Sequence, residues 1–331
     1  MKLQYTSFLS ILDSDIKINL DQTKQTQDKD CSLITHAHSD HIVNTPQQAF
    51  ASSETISIIK NIFPKNNFSF NDLAYGKKIK LSDNLFVTPL NAGHILGSTM
   101  YFFEGDGETL LYTGDFNPNT SLLLKGAEPV HADILVIEST FGRPNFSFPD
   151  LFETYDTLVK KIKYDLANNN FIVFGGYSLG KNQELIFFIN NFFKEKPIVD
   201  PKTFSYSEVY KKYGYSLDYE LLDGNLRDNN FLVLPISLVN KALVHTLSLQ
   251  LDRNVSAYVF TGWNYTRGVN NVPISAHGDY RSLLNFVSQV NPKQVYTVHG
   301  FAREFAHSVE KELGINAKSL QELSQRTILD F

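Results

Sequence analysis

Within six positions, the segment His36-Ala-His38-Ser-Asp40-His41 places three histidines and an aspartate directly behind the apolar pair Leu33-Ile34. No other stretch constrains the fold and chemistry of this chain as strongly. If residues 33–35 form a buried strand, period-2 alternation sends His36 and His38 to one side of its mouth and leaves Asp40 and His41 on the following turn. One strand-to-turn junction then offers four ligands in two pairs. Imidazole nitrogen and carboxylate oxygen suit zinc, or iron and manganese where oxygen donors dominate, so the direct reading is a metal site.

The rest of the composition narrows that reading. Cys31 is the only cysteine, which excludes an internal disulfide and a thiolate-rich metal site, and leaves histidine and carboxylate as ligands. With 331 residues, 42% of them hydrophobic, the chain can bury a large core and its length suggests about two domains. It has no apolar run of about 18 residues and its first residues lack a signal peptide's apolar core, so the expectation is a cytoplasmic protein with no membrane segment. Thirty Lys and Arg against 35 Asp and Glu give a formal charge of −5. That weighs mildly against a nucleic-acid partner, although each bound divalent ion would add two positive charges where the carboxylates gather.

Taken in order, the chain repeatedly ends a strand in a polar residue. Alternation over 4–12 and 16–20 reads as short strands, and Asp21 closes the second, as a turn aspartate or a partner of the cluster. Ser52-Ser53 caps a helix over 54–62. A strand over 85–90 delivers His94 in a loop with Ala92, Gly93 and Gly97, small residues that permit close backbone approach. Asp106-Gly107 marks a hairpin between strands 99–104 and 109–113, the second ending in Gly114-Asp115. The apolar run 134–137 suits a strand buried on both faces and ends in Glu138. Residues 145–262 read as a compact α/β insert. In it, the strand over 171–174, the turn Gly175-Gly-Tyr177-Ser-Leu-Gly180-Lys181 and a helix over 182–193 form the arrangement that turns backbone N–H groups toward an anion. Beyond the insert, His277 precedes a helix, and the strand over 294–298 ends in His299-Gly300. Nine histidines occur; His36, His38, His41, His94, His277 and His299 lie at strand ends or beside glycines. With Asp40 and Asp115 they exceed one tetrahedral site, so two metals are expected, bridged by a carboxylate such as Asp115, in a hydrolase.

The segment 36–41 resembles the signature of the metallo-β-lactamase fold hydrolases. Ala92-Gly-His94, Thr113-Gly-Asp115, Glu138-Ser-Thr, Ser275-Ala-His277-Gly-Asp-Tyr and Val298-His299-Gly are similar, in order and setting, to the remaining motifs of the β-CASP nuclease branch. The resemblance runs over residues 21–300. It implies a four-layer αββα sandwich formed by residues 1–144 and 263–331, with a β-CASP domain over 145–262 inserted in it and nucleic acid threading the cleft between. It further implies that His36, His38 and His94 hold one zinc, that Asp40, His41 and His299 hold a second, that Asp115 bridges them and that Asp21 orients a ligand histidine. Glu138 and His277 match the pair that handles the leaving group.

Gly278 stands where that family often has alanine, and Gln22 follows Asp21 where Pro or Gly is usual, but no ligand is missing. The expected activity is a two-zinc phosphodiesterase acting on single-stranded RNA or DNA, as an exonuclease in RNA processing or DNA repair. Arg143, Lys181 and Arg267 would grip phosphates while Tyr177 or Trp263 stacks a base. A hydrolase of the same fold acting on a thioester, lactone or lactam is the alternative, and a non-catalytic scaffold subunit a third; homodimerisation is left open.

Overall fold

A computed structural model describes residues 1–5, 9–13, 16–21, 31–42, 49–64, 69–264 and 268–323. By its internal contacts the chain divides into two units, Met1–Thr120 with Lys125–Ser147 and His277–Phe331, and Ser121–Leu124 with Phe148–Ala276.

The first unit is built on two sheets. In one, Lys2–Tyr5, Leu9–Asp13, Ile16–Leu20, Cys31–Leu33, Ala49–Ala51 and Phe70–Asp72 lie side by side in chain order. In the other the order is Asn316–Ser319, Gln294–Val298, Ile134–Glu138, Glu108–Tyr112, Thr99–Gly105, Leu85–Asn91 and Ile79–Lys80. Alternation decides which side chains meet. Ile11, Ile18, Leu20 and Leu33 face Val87, Tyr101, Phe103 and Val136 between the sheets. The opposite set of the second sheet, Met100, Leu111, Leu135 and Ile137, packs on Leu283, Phe286 and Val287 of helix Tyr280–Val290 and on Phe305 and Val309 of helix Ala302–Leu313. Each such side chain contributes roughly 1.5–3 kcal/mol on burial. Strand Ile134–Glu138, covered on both faces, is buried at every position, as its unbroken apolar run requires. Helix Ser53–Ile62 lies against the edge strand Phe70–Asp72, completing a helix–sheet–sheet–helix stack. Asp106 and Gly107 both have positive φ, 52° and 76°, the turn that two-residue hairpins favour.

The strand expected over 33–35 ends sooner, at Leu33. Ile34 N–H still donates to Phe50 O at 2.9 Å, but from Thr35 the backbone leaves the ladder: Thr35 N–H donates to Asp21 Oδ1 at 2.7 Å, and Thr35 O accepts from Thr99 N–H at 2.8 Å. His36 and His38 are therefore set by side-chain and cross-sheet bonds rather than by strand alternation.

The second unit carries a parallel sheet ordered Glu220–Leu221, Ile198–Val199, Phe231–Pro235, Phe171–Gly176, Val255–Phe260 and Asn270–Val272. Helix Leu151–Ala167 begins at Asp150, whose carboxylate accepts from Phe152 and Glu153 N–H at 2.9 and 3.0 Å. Helix Pro201–Lys212 is capped by Asp200, and Pro201 fits its first turn. Helix Lys241–Leu251 went unforeseen: Leu247, Leu249 and Leu251 alternate like a strand, and only Asn240, its cap, marks a helix start. Among the described residues no helix is long and apolar enough to cross a membrane.

Candidate metal centre

Every candidate ligand lies in the first unit, and all but one converge. His36 and His38 follow strand Cys31–Leu33, His41 closes the short turn Ser39–His41, and His94 and Asp115 lie in the loops after Leu85–Asn91 and Glu108–Tyr112. His36 Nε2 and His94 Nε2 each stand 3.1 Å from His38 Nδ1. Asp115 Oδ2 is 3.7 Å from His36 Nε2, 3.6 Å from His41 Nε2 and 4.0 Å from His94 Nε2. His36, His38, His94 and Asp115 thus form one set whose donor atoms lie within 4.8 Å of one another, and His41, Asp115 and His299 form a second. Asp115 belongs to both. Asp40 is the exception: its side chain is 78% exposed, and its Oδ2 lies 3.8 Å from His41 Nε2, outside both sets.

Asp21, at the end of strand Ile16–Leu20, is buried and accepts hydrogen bonds from Thr35 N–H, from the Thr35 hydroxyl and, at 2.9 Å, from the Tyr112 hydroxyl. Its Oδ2 also lies 3.2 Å from His41 Nδ1. With its one proton committed to Asp21, the Thr35 hydroxyl can only accept from His36 Nδ1, 2.9 Å away. That fixes the tautomer. His36 carries its proton on Nδ1 and turns a bare Nε2 lone pair toward His38 and Asp115. Burial, then the neighbouring His41, holds the His36 pKa well below the usual histidine range, so the ring stays neutral and able to ligate. Burial works against a charge on His41 as well, but Asp21 and Asp115 outweigh it and raise that pKa well above the ordinary value. Burial likewise opposes the Asp115 carboxylate, and the imidazoles around it, His41 first, hold its pKa well below the carboxylate range.

One tight turn aims His94. Gly93 has φ of 69°, and a Cβ there would stand 2.6 Å from Asn117 O; beside it Ser98 Oγ accepts from His94 N–H at 3.0 Å. Only glycine fits that close approach. Glu138, the last residue of its strand and fully buried, accepts from Phe116 and Thr140 N–H at 3.2 and 3.0 Å. His277 Nδ1 meets Glu138 Oε1 at 2.7 Å, and Asp115, Glu138 and His277 form a third converging set. Burial lowers the His277 pKa, but the Glu138 charge and hydrogen bond outweigh it and raise it to about 9.

The donor set fits a divalent cation. Several nitrogen lone pairs and one carboxylate face a common centre, with no thiolate present, which is the ligand chemistry of zinc. Thr35, Tyr112, Ser98 and Ser139 were not singled out from sequence. Only their places beside His36, Asp115 and Glu138 hint at a role, and hydroxyls beside ligands are too common to read alone.

The residues expected to touch nucleic acid fare differently. Lys181 is 2% exposed and pairs with Glu184 at 2.5 Å, so it cannot grip a phosphate from solvent. The helix it begins is buried from its first residue, and Gly180 N–H donates to Gln183 Oε1 at 2.7 Å, which removes a donor from any anion there. Arg143 is exposed but already bound to Glu304 and stacked on Phe301. Tyr177 and Trp263 are 50% and 39% exposed. Arg267 lies outside the described residues.

Sheet sandwich and histidine cluster together define a metallo-hydrolase. Residues 23–146 match the metallo-β-lactamase superfamily domain, and residues 266–320 match the Zn-dependent metallo-hydrolase RNA specificity domain. The chain belongs to the metallo-β-lactamase superfamily, in its β-CASP branch. It is 31% identical to a probable DNA ligase of Opitutus terrae over 89% of its own length, but spans only 29% of that protein. An RNase J-like protein of Methanocaldococcus jannaschii is 23% identical, over 92% of this chain and 90% of the relative. A solved structure of a protein of unknown function from Enterococcus faecalis shares the fold, with a TM-score of 0.60 at 12% identity over 92% of this chain and 95% of that one.

Proposed function

We propose that the protein is a two-zinc nuclease that hydrolyses phosphodiester bonds of single-stranded nucleic acid as an exonuclease. The observation that carries this reading is the position of Asp115, shared by two metal-type sets and by the Glu138–His277 pair. Zinc ions bound there would activate water and neutralise the phosphoryl oxygens. In the proposed site His36, His38 and His94 hold one ion and His41 and His299 the other; Asp115 serves both, and Asp40 joins the second by turning its exposed carboxylate inward. Asp21 does not touch an ion, and orients His41 directly and His36 through Thr35. Glu138 holds His277 Nδ1, keeping that imidazole protonated so that Nε2–H faces the departing oxygen and donates its proton as the P–O bond breaks.

The RNA specificity domain and the RNase J-like relative support RNA as substrate. The 31% identical probable DNA ligase supports a role at DNA ends instead. In the second unit Gly175 pairs with Val259, so Tyr177 and Trp263 follow the carboxyl ends of neighbouring parallel strands. The sheet order reverses there, the usual place for a ligand in such sheets, and both rings are offered as stacking surfaces for bases. The test is zinc-loaded protein with end-labelled, matched single-stranded RNA and DNA, beside thioester and lactam substrates. Stepwise shortening of an oligonucleotide is expected. Turnover of a thioester or lactam with no shortening of either nucleic acid would overturn the reading. Trp263, the sole tryptophan, should be quenched by the same oligonucleotides and not by an abasic one.

A further inference from the structure

The turn that supplies His299 is held from outside. His299 has φ of 58° and Gly300 of 50°, two successive left-handed residues directly beyond strand Gln294–Val298, and a histidine in that region needs neighbours to keep it there. The neighbours that hold the backbone of this turn include residues 139–146. Ser139 N–H donates to Val298 O at 2.8 Å, the Ser139 hydroxyl lies 2.8 Å from both Val298 O and His299 O, and Phe301 N–H donates to Ser139 O at 2.9 Å. A Cβ on Gly300 would stand 2.4 Å from Thr140 Cα, so the two loops are in backbone contact.

One side chain closes this arrangement from the surface. The Arg143 guanidinium lies over the Phe301 ring, 4.1 Å from its centroid. Its Nε is 3.2 Å from Glu304 Oε1, and its Nη2 reaches the same oxygen. Phe146 stacks on Phe301 at 5.3 Å with an interplanar angle of 24°. Arg143 belongs to the segment that leaves Glu138, whereas Phe301 and Glu304 belong to the segment that leaves His299. Its planar face and its charge are used at once, a combination that lysine lacks.

We propose that Arg143 is a positioning residue for the second metal. Resting on the two-ion reading above, the inference is that Arg143 closes the His299 turn onto the Glu138 loop, and so sets the affinity of the ion held by His41, Asp115 and His299. The set formed by His36, His38 and His94 shares none of these contacts and should not respond. Loss of the clamp lets the His299 turn leave its left-handed conformation, and a ligand that must be re-ordered binds more weakly.

The experiment is an equilibrium zinc titration of the full chain against a chromogenic chelator, with thermal unfolding recorded alongside. The wild-type protein is expected to hold two ions. In Arg143→Ala one ion keeps its affinity and the other weakens at least about tenfold. Phe301→Leu shifts the same ion in the same direction, and Arg143→Lys does not restore it. Lys125→Ala, which removes another surface ion pair, that with Glu128, leaves both ions unchanged. Two ions in the wild type with unaltered affinities in Arg143→Ala, a parallel loss of both, or full recovery in Arg143→Lys would each overturn the inference alone. A single ion in the wild type would overturn the two-ion reading along with it.

Discussion

Each unit buries a cluster of ionisable groups just beyond strand ends, and the two clusters solve the burial problem in opposite ways. In the second unit Lys181 pairs with Glu184 at 2.5 Å, and the Tyr155 hydroxyl donates to the same carboxylate at 2.9 Å. Asn182 Nδ2 donates to Thr203 Oγ1 at 2.9 Å, and Gln183 Nε2 to Ser207 Oγ at 3.1 Å. Charge meets countercharge, although among the described residues Asn182 Oδ1 is left buried without a hydrogen-bond partner. In the first unit nitrogen faces nitrogen at 3.1 Å, and Asp115 Oδ2 lies within 4.0 Å of three imidazoles. That arrangement could hold a cation at a shared centre. Buried charge by itself therefore says little about function. What matters is whether the donor atoms point at one another's complements or at a shared centre.

Four measurements would break or sharpen this contrast. Asp115→Asn should reduce turnover at least about 10³-fold and lower zinc content, because one oxygen serves both sets; a variant with full zinc and full activity would end the reading of a shared bridge. His277→Ala is expected to cost about 10²–10⁴ in kcat with zinc content unchanged. If zinc falls in step with rate, His277 acts as a ligand and not as a proton donor. Lys181→Ala should leave zinc content alone but destabilise the chain by roughly 3–5 kcal/mol in chemical denaturation, since it strands a buried Glu184, while Lys181→Met with Glu184→Gln, which keeps an acceptor for the Tyr155 hydroxyl, recovers most of that loss. A change in zinc binding would show that the second cluster is not purely structural.

The smallest effect lies at the surface of the first unit. Lys293 and Thr109 hold Asp133 at a pKa of about 2, below the carboxylate's usual value of 3.8. The charged form is favoured by folding, so this stabilisation is present above about pH 4 and fades as pH falls toward 2. Asp133→Asn should therefore cost about 1 kcal/mol at neutral pH, after allowance for solvent screening, and the wild-type and variant unfolding curves should converge near pH 2.

The converging side chains were legible because metal chemistry admits few residue types, and because those residues sit where strands end. His36, His38, His41, His94, Asp115 and His299 could be picked from one chain for that reason. The layered fold was legible too, since runs such as 134–137 suit only a strand buried on both faces. Lys181 was misjudged, because a lysine beside a glycine turn looks solvent-bound until a carboxylate three residues on is seen to fold back onto it. Helix Lys241–Leu251 escaped because leucines spaced by two mimic a strand. Asp40 was placed with the ligands by spacing, yet its side chain turns to solvent.

Sequence thus determined which atoms could bind a metal, through residue chemistry and local periodicity, which act over a few positions. Tertiary structure alone brought those donors together, left Asp40 outside both sets, and decided which tautomer His36 adopts and what Arg143 holds. Those outcomes depend on groups far apart in the chain, such as Asp21 beside Tyr112 and Arg143 beside Glu304, and no local pattern encodes a distance between residues that only the packed sheets bring together.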